Sequence, residues 1–290
     1  MKIKIVLSIL FLVFSRTSFA KNTMYCSHPE ICKMLDQIIK ENSSDKNLAG
    51  LSTESLISVT GDPHEYEPSV NEIKKLMNAP ILITGPNELN PWIKKINFQR
   101  RKIASLKTAS LLFDQQDYLS YAGASGEALS HFWLYPKVYC SLKNKLIVEL
   151  KNLGINNIKN QACIYKKVED DLRLVLAGIK KPIILTHDAL LPLLLNLSPD
   201  QTLSIVAIKG SGHHEETSPI SIKKMYNALS APQVIWIQET GINIPQNIIN
   251  KIRPNDQVIK IDTANSVDQG LFSIIVELTK KLASISEKKL

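Results

Sequence analysis

The sequence predicts an α/β protein with two similar lobes, each a mostly parallel sheet flanked by helices, joined by one long connecting helix. Short apolar runs typical of strands alternate with stretches of helical spacing along the 290 residues, as in parallel sheets covered on both faces. A second observation is an internal repeat. His64-Glu65 and His214-Glu215 are each followed by Ile-Lys-Lys, then Ala-Pro and an apolar strand, with a slip of one residue. Such a repeat favours two related lobes over one continuous sheet.

The first twenty residues have the composition of a secretory signal peptide. Lys2 and Lys4 precede an apolar run over 5–14, and Ser18-Phe19-Ala20 offers a small-x-small cleavage site after Ala20. No cysteine follows the apolar run closely enough to suggest a lipid anchor, and no later stretch is long and apolar enough to span a bilayer. We therefore expect a soluble protein exported to the periplasm.

The charge of the mature chain excludes one class of partner. Removing the signal peptide leaves a net charge of about +5, from the +8 of the full sequence. The lysines are spread along the chain, whereas a nucleic-acid site needs a concentrated basic patch with interleaved aromatic residues. We expect a monomer that binds no nucleic acid.

Four cysteines follow the predicted cleavage site, and export permits disulfides. Proximity along the chain favours the pairs Cys26–Cys32 and Cys140–Cys163. Cys26, His28 and Cys32 could instead hold a metal, but their spacing fits no closed zinc motif. We expect His28 to be a surface residue.

The apolar spacing predicts each element in turn. In the first lobe (21–156), strands are expected at 22–25, 56–59 and 80–84, and helices at 29–40, 70–78, 90–96 and 138–153, with short strands and loops over 98–130. The connecting helix is expected over 157–180. In the second lobe (181–290), strands are expected at 183–186, 203–208, 234–237 and 258–261, and helices at 218–229, 245–252 and 266–285. Residues 1–20 are the signal peptide.

Three histidines occupy comparable positions in this scheme. His64 follows one strand, His131 precedes a helix and His187 ends another strand, while Asp262 stands at the end of the last strand. Carboxyl ends of parallel strands are where open α/β sheets bind ligands. Three imidazoles and one carboxylate suit tetrahedral zinc, and carboxylate-richer sites favour manganese. The alternative is a set of scattered structural histidines.

The motifs around these residues resemble the metal-specific periplasmic solute-binding proteins that supply ABC importers of zinc and manganese. Four segments match in chain order, over nearly the whole mature chain: Asp62-Pro63-His64-Glu65-Tyr66-Glu67-Pro68-Ser69, His131-Phe132-Trp133-Leu134-Tyr135-Pro136, Thr186-His187-Asp188-Ala189 and Ile261-Asp262. The resemblance implies that the metal is held between the lobes, by His64 and His131 of the first and His187 and Asp262 of the second.

The chain departs from this family in several places. The long histidine-rich loop of many zinc-specific members is absent after the first motif, and an acid is more common at the Tyr135 position. Glu239, at the end of the strand over 234–238, is the second choice for the carboxylate ligand, with a surface or supporting role as its alternative. His213-His214-Glu215-Glu216 is either a transient metal collector or a solvated loop.

The expected function is metal capture rather than catalysis. Neutral imidazoles and the Asp262 carboxylate would replace the water shell of Zn²⁺ (or Mn²⁺), and affinity would fall as acid protonates the histidines. Release would occur on an ABC importer permease in the inner membrane. One alternative is a secreted zinc hydrolase with Glu65 or Glu67 as general base. Another is a metal buffer or adhesin without a transporter.

Overall fold

The computed structural model describes residues 22–43, 48, 50–57, 66–77, 81–85, 92, 107–110, 128–156, 158–199, 203–209, 217–240, 242–263 and 272–286. The predicted signal peptide, the helix predicted over 90–96 apart from Trp92, and His64 lie outside these residues. In the described part of the chain no helix has the length and apolar character needed to cross a membrane.

Two four-stranded parallel sheets form the framework, and they have the same strand order. The first sheet runs β2-β1-β3-β4 and the second β6-β5-β7-β8. This confirms the predicted α/β fold of two similar sheets flanked by helices. The strands are β1 (Asn22–Cys26), β2 (Leu51–Ser55), β3 (Ile81–Thr84), β4 (Lys107–Ser110), β5 (Ile183–His187), β6 (Ile205–Lys209), β7 (Ile235–Glu239) and β8 (Gln257–Ile261).

The helices predicted over 29–40, 70–78, 138–153 and 218–229 lie within two residues of their expected ends, whereas the helix over Leu191–Leu197 was not predicted. Ser218 caps one of them as expected, since its hydroxyl accepts a hydrogen bond from the Ser221 N–H at 3.0 Å. The helices are α1 (Pro29–Glu41), α2 (Val70–Met77), α3 (Pro136–Asn152), α4 (Tyr165–Leu176), α5 (Leu191–Leu197), α6 (Pro219–Ala228), α7 (Gln246–Ile249) and α8 (Ser273–Ala283), with 3₁₀ segments at Ala128–Leu134 and Asp188–Leu190.

Alternate strand residues face two different hydrophobic cores, because successive side chains of a strand point to opposite faces. Ile83 and Leu185 belong to one large cluster that includes residues of both sheets. Leu82 faces a smaller cluster with Trp92, and Ile184 faces another with Trp236. The large cluster therefore lies between the lobes and joins them. Each small cluster covers the other face of one sheet.

The strand predicted at 56–59 is wrong at Leu56 and Ile57, and residues 58–59 lie outside the described residues. The strand is β2, over Leu51–Ser55, and Leu56 and Ile57 are buried bend residues directly after it. β2 lies at the edge of its sheet, where its side chains are partly exposed, and all of them except Leu51 are polar. Thr53, for example, donates a hydrogen bond to Asp36 at 2.7 Å. A prediction based on runs of apolar residues therefore selects the buried Leu56 and Ile57 after the strand rather than the strand itself.

The connecting helix is shorter than predicted over 157–180. Helix α4 covers Tyr165–Leu176 only, and the described residues before it, from Ile158 to Ile164, are not helical. Two contacts hold that segment to earlier helices instead. Cys163 is bonded to Cys140 of α3, and the Lys159 N–H donates to Asn42 at 2.8 Å. The lobe boundaries themselves stay a prediction.

Both predicted disulfides are confirmed. Cys26–Cys32 closes the turn between β1 and α1, and Cys140–Cys163 ties the segment before α4 to α3. The described residues contain no free cysteine, so the alternative of a metal held by Cys26, His28 and Cys32 is wrong.

Asp256 organises the turn that leads into β8. Its buried carboxylate accepts hydrogen bonds from the Val234 N–H at 3.1 Å, the Trp236 indole at 3.2 Å and the Arg253 N–H at 2.9 Å, and it pairs with the Arg253 guanidinium at 2.9 Å. Burial acts to raise the pKa of Asp256, but the hydrogen bonds from Arg253, Val234 and Trp236 outweigh it and hold the pKa below its ordinary value.

We expect Asp256→Asn to lower the free energy of unfolding by about 2 kcal/mol at pH 7, because charge-assisted hydrogen bonds are lost. A carboxyl whose folded pKa is depressed stabilises the protein above its unfolded pKa of about 3.9, and this stabilisation is lost as pH falls through the folded value. The difference between variant and wild type should therefore shrink in acid. Urea denaturation at several pH values measures it. Glu277→Gln, in an exposed pair with Lys281, is the control; equal stability of both variants would contradict the expectation.

Candidate metal-binding site

Two of the four predicted ligands end strands of the second sheet. His187 is the last residue of β5, and Asp262 directly follows β8. β7 lies between these strands and aligns Glu239 with Ile261, the residue before Asp262. Because parallel strands end at the same edge, His187, Glu239 and Asp262 share one edge of the sheet.

The third predicted ligand reaches this edge from the other lobe. His131 lies at a kink in the 3₁₀ segment before α3. Its ring centroid is 5.3 Å from that of His187, with the planes at 77°. Exposure is only 5% for His131 and 1% for His187. The structure thus brings these two imidazoles together in a buried position.

Glu239 lies directly behind His187. Its Oε2 is 3.3 Å from His187 Nδ1 and accepts a 2.7 Å hydrogen bond from the Thr263 hydroxyl. The Glu239 N–H donates to the Thr186 hydroxyl at 3.1 Å. A carboxylate at Nδ1 favours the tautomer with hydrogen on that nitrogen, so that the Nε2 lone pair is available to a metal. The interpretation of Glu239 as a surface acid is wrong, because the residue is buried.

Asp188 is a candidate functional residue that sequence reasoning missed. Its Oδ1 lies 3.9 Å from His187 Nε2, the side of the ring away from Glu239. Burial, and then the negative charges of Asp188 and Glu239, raise the pKa of Tyr135 well above its ordinary value. Glu239 and Asp188 place a carboxylate near each ring nitrogen of His187, and this geometry suits a cation. The sequence feature that could have identified Asp188 is its position directly after His187 in the third motif.

The other candidates are placed as follows. His28 is buried rather than on the surface, because its Nδ1 accepts the Glu30 N–H at 3.1 Å and so caps α1. Glu67 is exposed. Among the described residues no group of three or more His, Cys, Asp or Glu side chains could by itself hold a metal ion. Outside the described residues lie His64, Glu65, His213, His214, Glu215 and Glu216.

Tyr135, at the position where the family more often has an acid, joins the two histidine segments. Its hydroxyl donates a 2.6 Å hydrogen bond to the Ala189 carbonyl, two residues after His187. Its side chain is fully buried. The hydroxyl therefore ties the segment that carries His131 to the segment that carries His187.

We expect Tyr135→Phe to lower the free energy of unfolding by about 1–2 kcal/mol, because the Ala189 carbonyl would lose this buried hydrogen bond. Urea denaturation measures the change. Tyr226→Phe is the matched control, since Tyr226 is 50% exposed and should be nearly silent. Wild-type stability in Tyr135→Phe would contradict this expectation.

Comparison with known proteins finds distant relatives whose names refer to metal binding or metal transport. No model of a protein family matches the chain. It is 23% identical over 270 residues to the zinc-binding lipoprotein AdcA of Streptococcus pneumoniae, covering 84% of this chain and 52% of AdcA. It is 31% identical over 138 residues to the metal ABC transporter substrate-binding lipoprotein SloC of Streptococcus mutans, covering 43% and 42%. The chain thus matches about half the length of these curated relatives.

The fold is found in solved structures as well. The Streptococcus pneumoniae AdcAII protein superimposes with a TM-score of 0.65 at 14% identity, over 93% of this chain and 99% of that one. Both curated relatives are named as binding proteins rather than enzymes. These findings confirm the resemblance found in the sequence: the chain is similar to a zinc-binding lipoprotein and to a substrate-binding lipoprotein of a metal ABC transporter, and it shares the fold of AdcAII.

Proposed function

We propose that this chain captures Zn²⁺ between its lobes and delivers it to an ABC importer permease. The observation that carries the proposal is the buried pair of His131 and His187, with ring centroids 5.3 Å apart. Imidazole nitrogens are preferred zinc ligands. Burial of two imidazoles side by side, with carboxylates on both sides of His187, suits a bound cation.

His64 and Asp262 complete the proposed ligand set. His64 belongs to the first of the two more specific motifs, and Asp262 directly follows β8 at the edge that carries His187. Glu239 is proposed as the group that orients His187. A carboxylate that contacts Nδ1 faces away from a metal on Nε2, so Glu239 and the ion would lie on opposite sides of the ring.

Zinc is proposed over manganese because three imidazoles and one carboxylate suit a tetrahedral ion with nitrogen ligands. The name of AdcA as a zinc-binding lipoprotein supports the same choice. A four-ligand sphere would leave no position for a reacting water, which distinguishes this proposal from a zinc hydrolase.

Delivery and location rest on the relatives' names and on the sequence. SloC is named as a substrate-binding lipoprotein of a metal ABC transporter, which supports a permease as the partner. Both relatives are named lipoproteins, and this favours an exported protein attached at a membrane surface. A free periplasmic form after cleavage at Ala20 is the form that the signal sequence predicts.

We expect His64→Ala, His131→Ala and His187→Ala each to weaken zinc binding by more than about 100-fold, since loss of a direct ligand should exceed the 10–100-fold cost of losing a supporting group. Competition with a chromophoric chelator measures the dissociation constant, and elemental analysis gives the metal content after purification. The double variant His213→Ala, His214→Ala is the control outside the ligand set. Wild-type affinity in a folded His131→Ala, His187→Ala double variant would refute zinc capture at this position.

The identity of the carboxylate ligand can be tested separately. Glu239 is the rival because, within the described residues, its buried Oε1 has no hydrogen-bond partner. We expect Asp262→Asn to weaken zinc binding by more than about 100-fold and Glu239→Gln by about tenfold, as for a ligand and a supporting group. Both substitutions preserve size and remove one charge, so each is the matched control of the other. The reverse ranking would assign the ligand to Glu239.

A further inference from the structure

Trp133 contacts both lobes at the candidate metal site. Its indole N–H donates a 2.9 Å hydrogen bond to the carbonyl of Thr263, the residue after Asp262. Its ring meets the His131 ring edge to face, with centroids 5.4 Å apart. One side chain therefore touches a proposed ligand of the first lobe and holds the backbone beside a proposed ligand of the second.

The indole also stacks on a second histidine. His28 stacks on Trp133 with ring centroids 4.8 Å apart and planes at 20°. His28 is itself held by its cap of α1 and by the Cys26–Cys32 disulfide on either side of it. The orientation of the indole is thus set by the end of β1 and the start of α1.

Thr263 is held from two directions. Trp133 binds its carbonyl, and its hydroxyl donates to Glu239, which contacts His187. A chain of contacts therefore runs from His28 through Trp133 and Thr263 to the proposed ligand His187. Asp262 lies between the end of β8 and this doubly held residue.

We propose that Trp133 is a positioning residue for the metal site. Before the ion binds, its side chain fixes the Asp262–Thr263 segment of one lobe relative to His131 of the other. This inference rests on the proposed zinc capture. Preset ligands lose less conformational freedom on binding, and groups that support direct ligands commonly account for 10–100-fold of metal affinity.

The test compares two tryptophans that make the same kind of bond at opposite ends of β8. Trp133 holds Thr263 after the strand, whereas the Trp236 indole donates at 3.2 Å to Asp256 before it. Trp133→Phe and Trp236→Phe each remove one indole donor and retain an aromatic ring. We expect Trp133→Phe to weaken zinc binding by about tenfold, and Trp236→Phe to lose stability without loss of zinc affinity. Chelator competition and thermal unfolding of metal-free protein give the two quantities.

A second variant keeps the test decisive if Trp133→Phe does not fold. His28→Asn retains a side chain that caps α1, since Asn is among the preferred N-cap residues, but removes the ring on which Trp133 stacks. We expect weaker zinc binding here too. Wild-type affinity in either folded variant, or an equal loss of affinity in Trp236→Phe, would overturn the positioning role. If wild-type protein fails to bind zinc, the proposed function itself is refuted, which is a distinct result.

Discussion

The contact between Glu239 and His187 is the constraint around which the rest of the site is arranged. A buried carboxylate is costly unless charges and hydrogen-bond donors surround it, and Glu239 is 3% exposed. Its partners come from the two strands on either side of β7: His187 follows Thr186 in β5, and Thr263 lies two residues after β8. Only a parallel register that ends β5, β7 and β8 at one edge can supply them together. The strand order thus determines the orientation of the imidazole.

The contact between the lobes also depends on buried side chains. One hydrophobic cluster includes residues of both sheets, and α3 and α4 pack on each other within it. Tyr135 and Trp133 add hydrogen bonds that cross from the segment after His131 to Ala189 and Thr263. Opening the lobes would expose apolar surface and break both bonds. A protein built in this way suits small lobe movements, so under the proposed function metal release would depend on the permease.

The meeting of His131 with His187 was implied by the resemblance of their motifs to a family, since His131 precedes a helix and does not end a strand. The sequence predicted the fold because alternating apolar strands and helical spacing are local patterns. It failed where tertiary contacts override local pattern. The polar edge strand β2 was missed in favour of the apolar residues after it, and His28 was assigned to the surface although it caps α1 and stacks on Trp133. Asp188 was missed because its distance from His187 Nε2 depends on the turn after β5. The bond from Trp133 to Thr263 spans 130 residues, and no local pattern encodes it.

Asp188 bears on the choice of metal more directly than the number of histidines does. The residue lies on the Nε2 side of His187, at 3.9 Å, where the ion would bind. With Asp262 as a ligand, a second carboxylate this close adds negative charge without adding a nitrogen ligand, and oxygen-rich surroundings suit manganese better than zinc. Three imidazoles act in the opposite direction, because nitrogen ligands in a small tetrahedral sphere favour zinc. The balance depends on whether Asp188 enters the sphere. At 3.9 Å from His187 Nε2, the Asp188 carboxylate makes no hydrogen bond to that nitrogen. A zinc site therefore needs Asp188 only as a nearby charge.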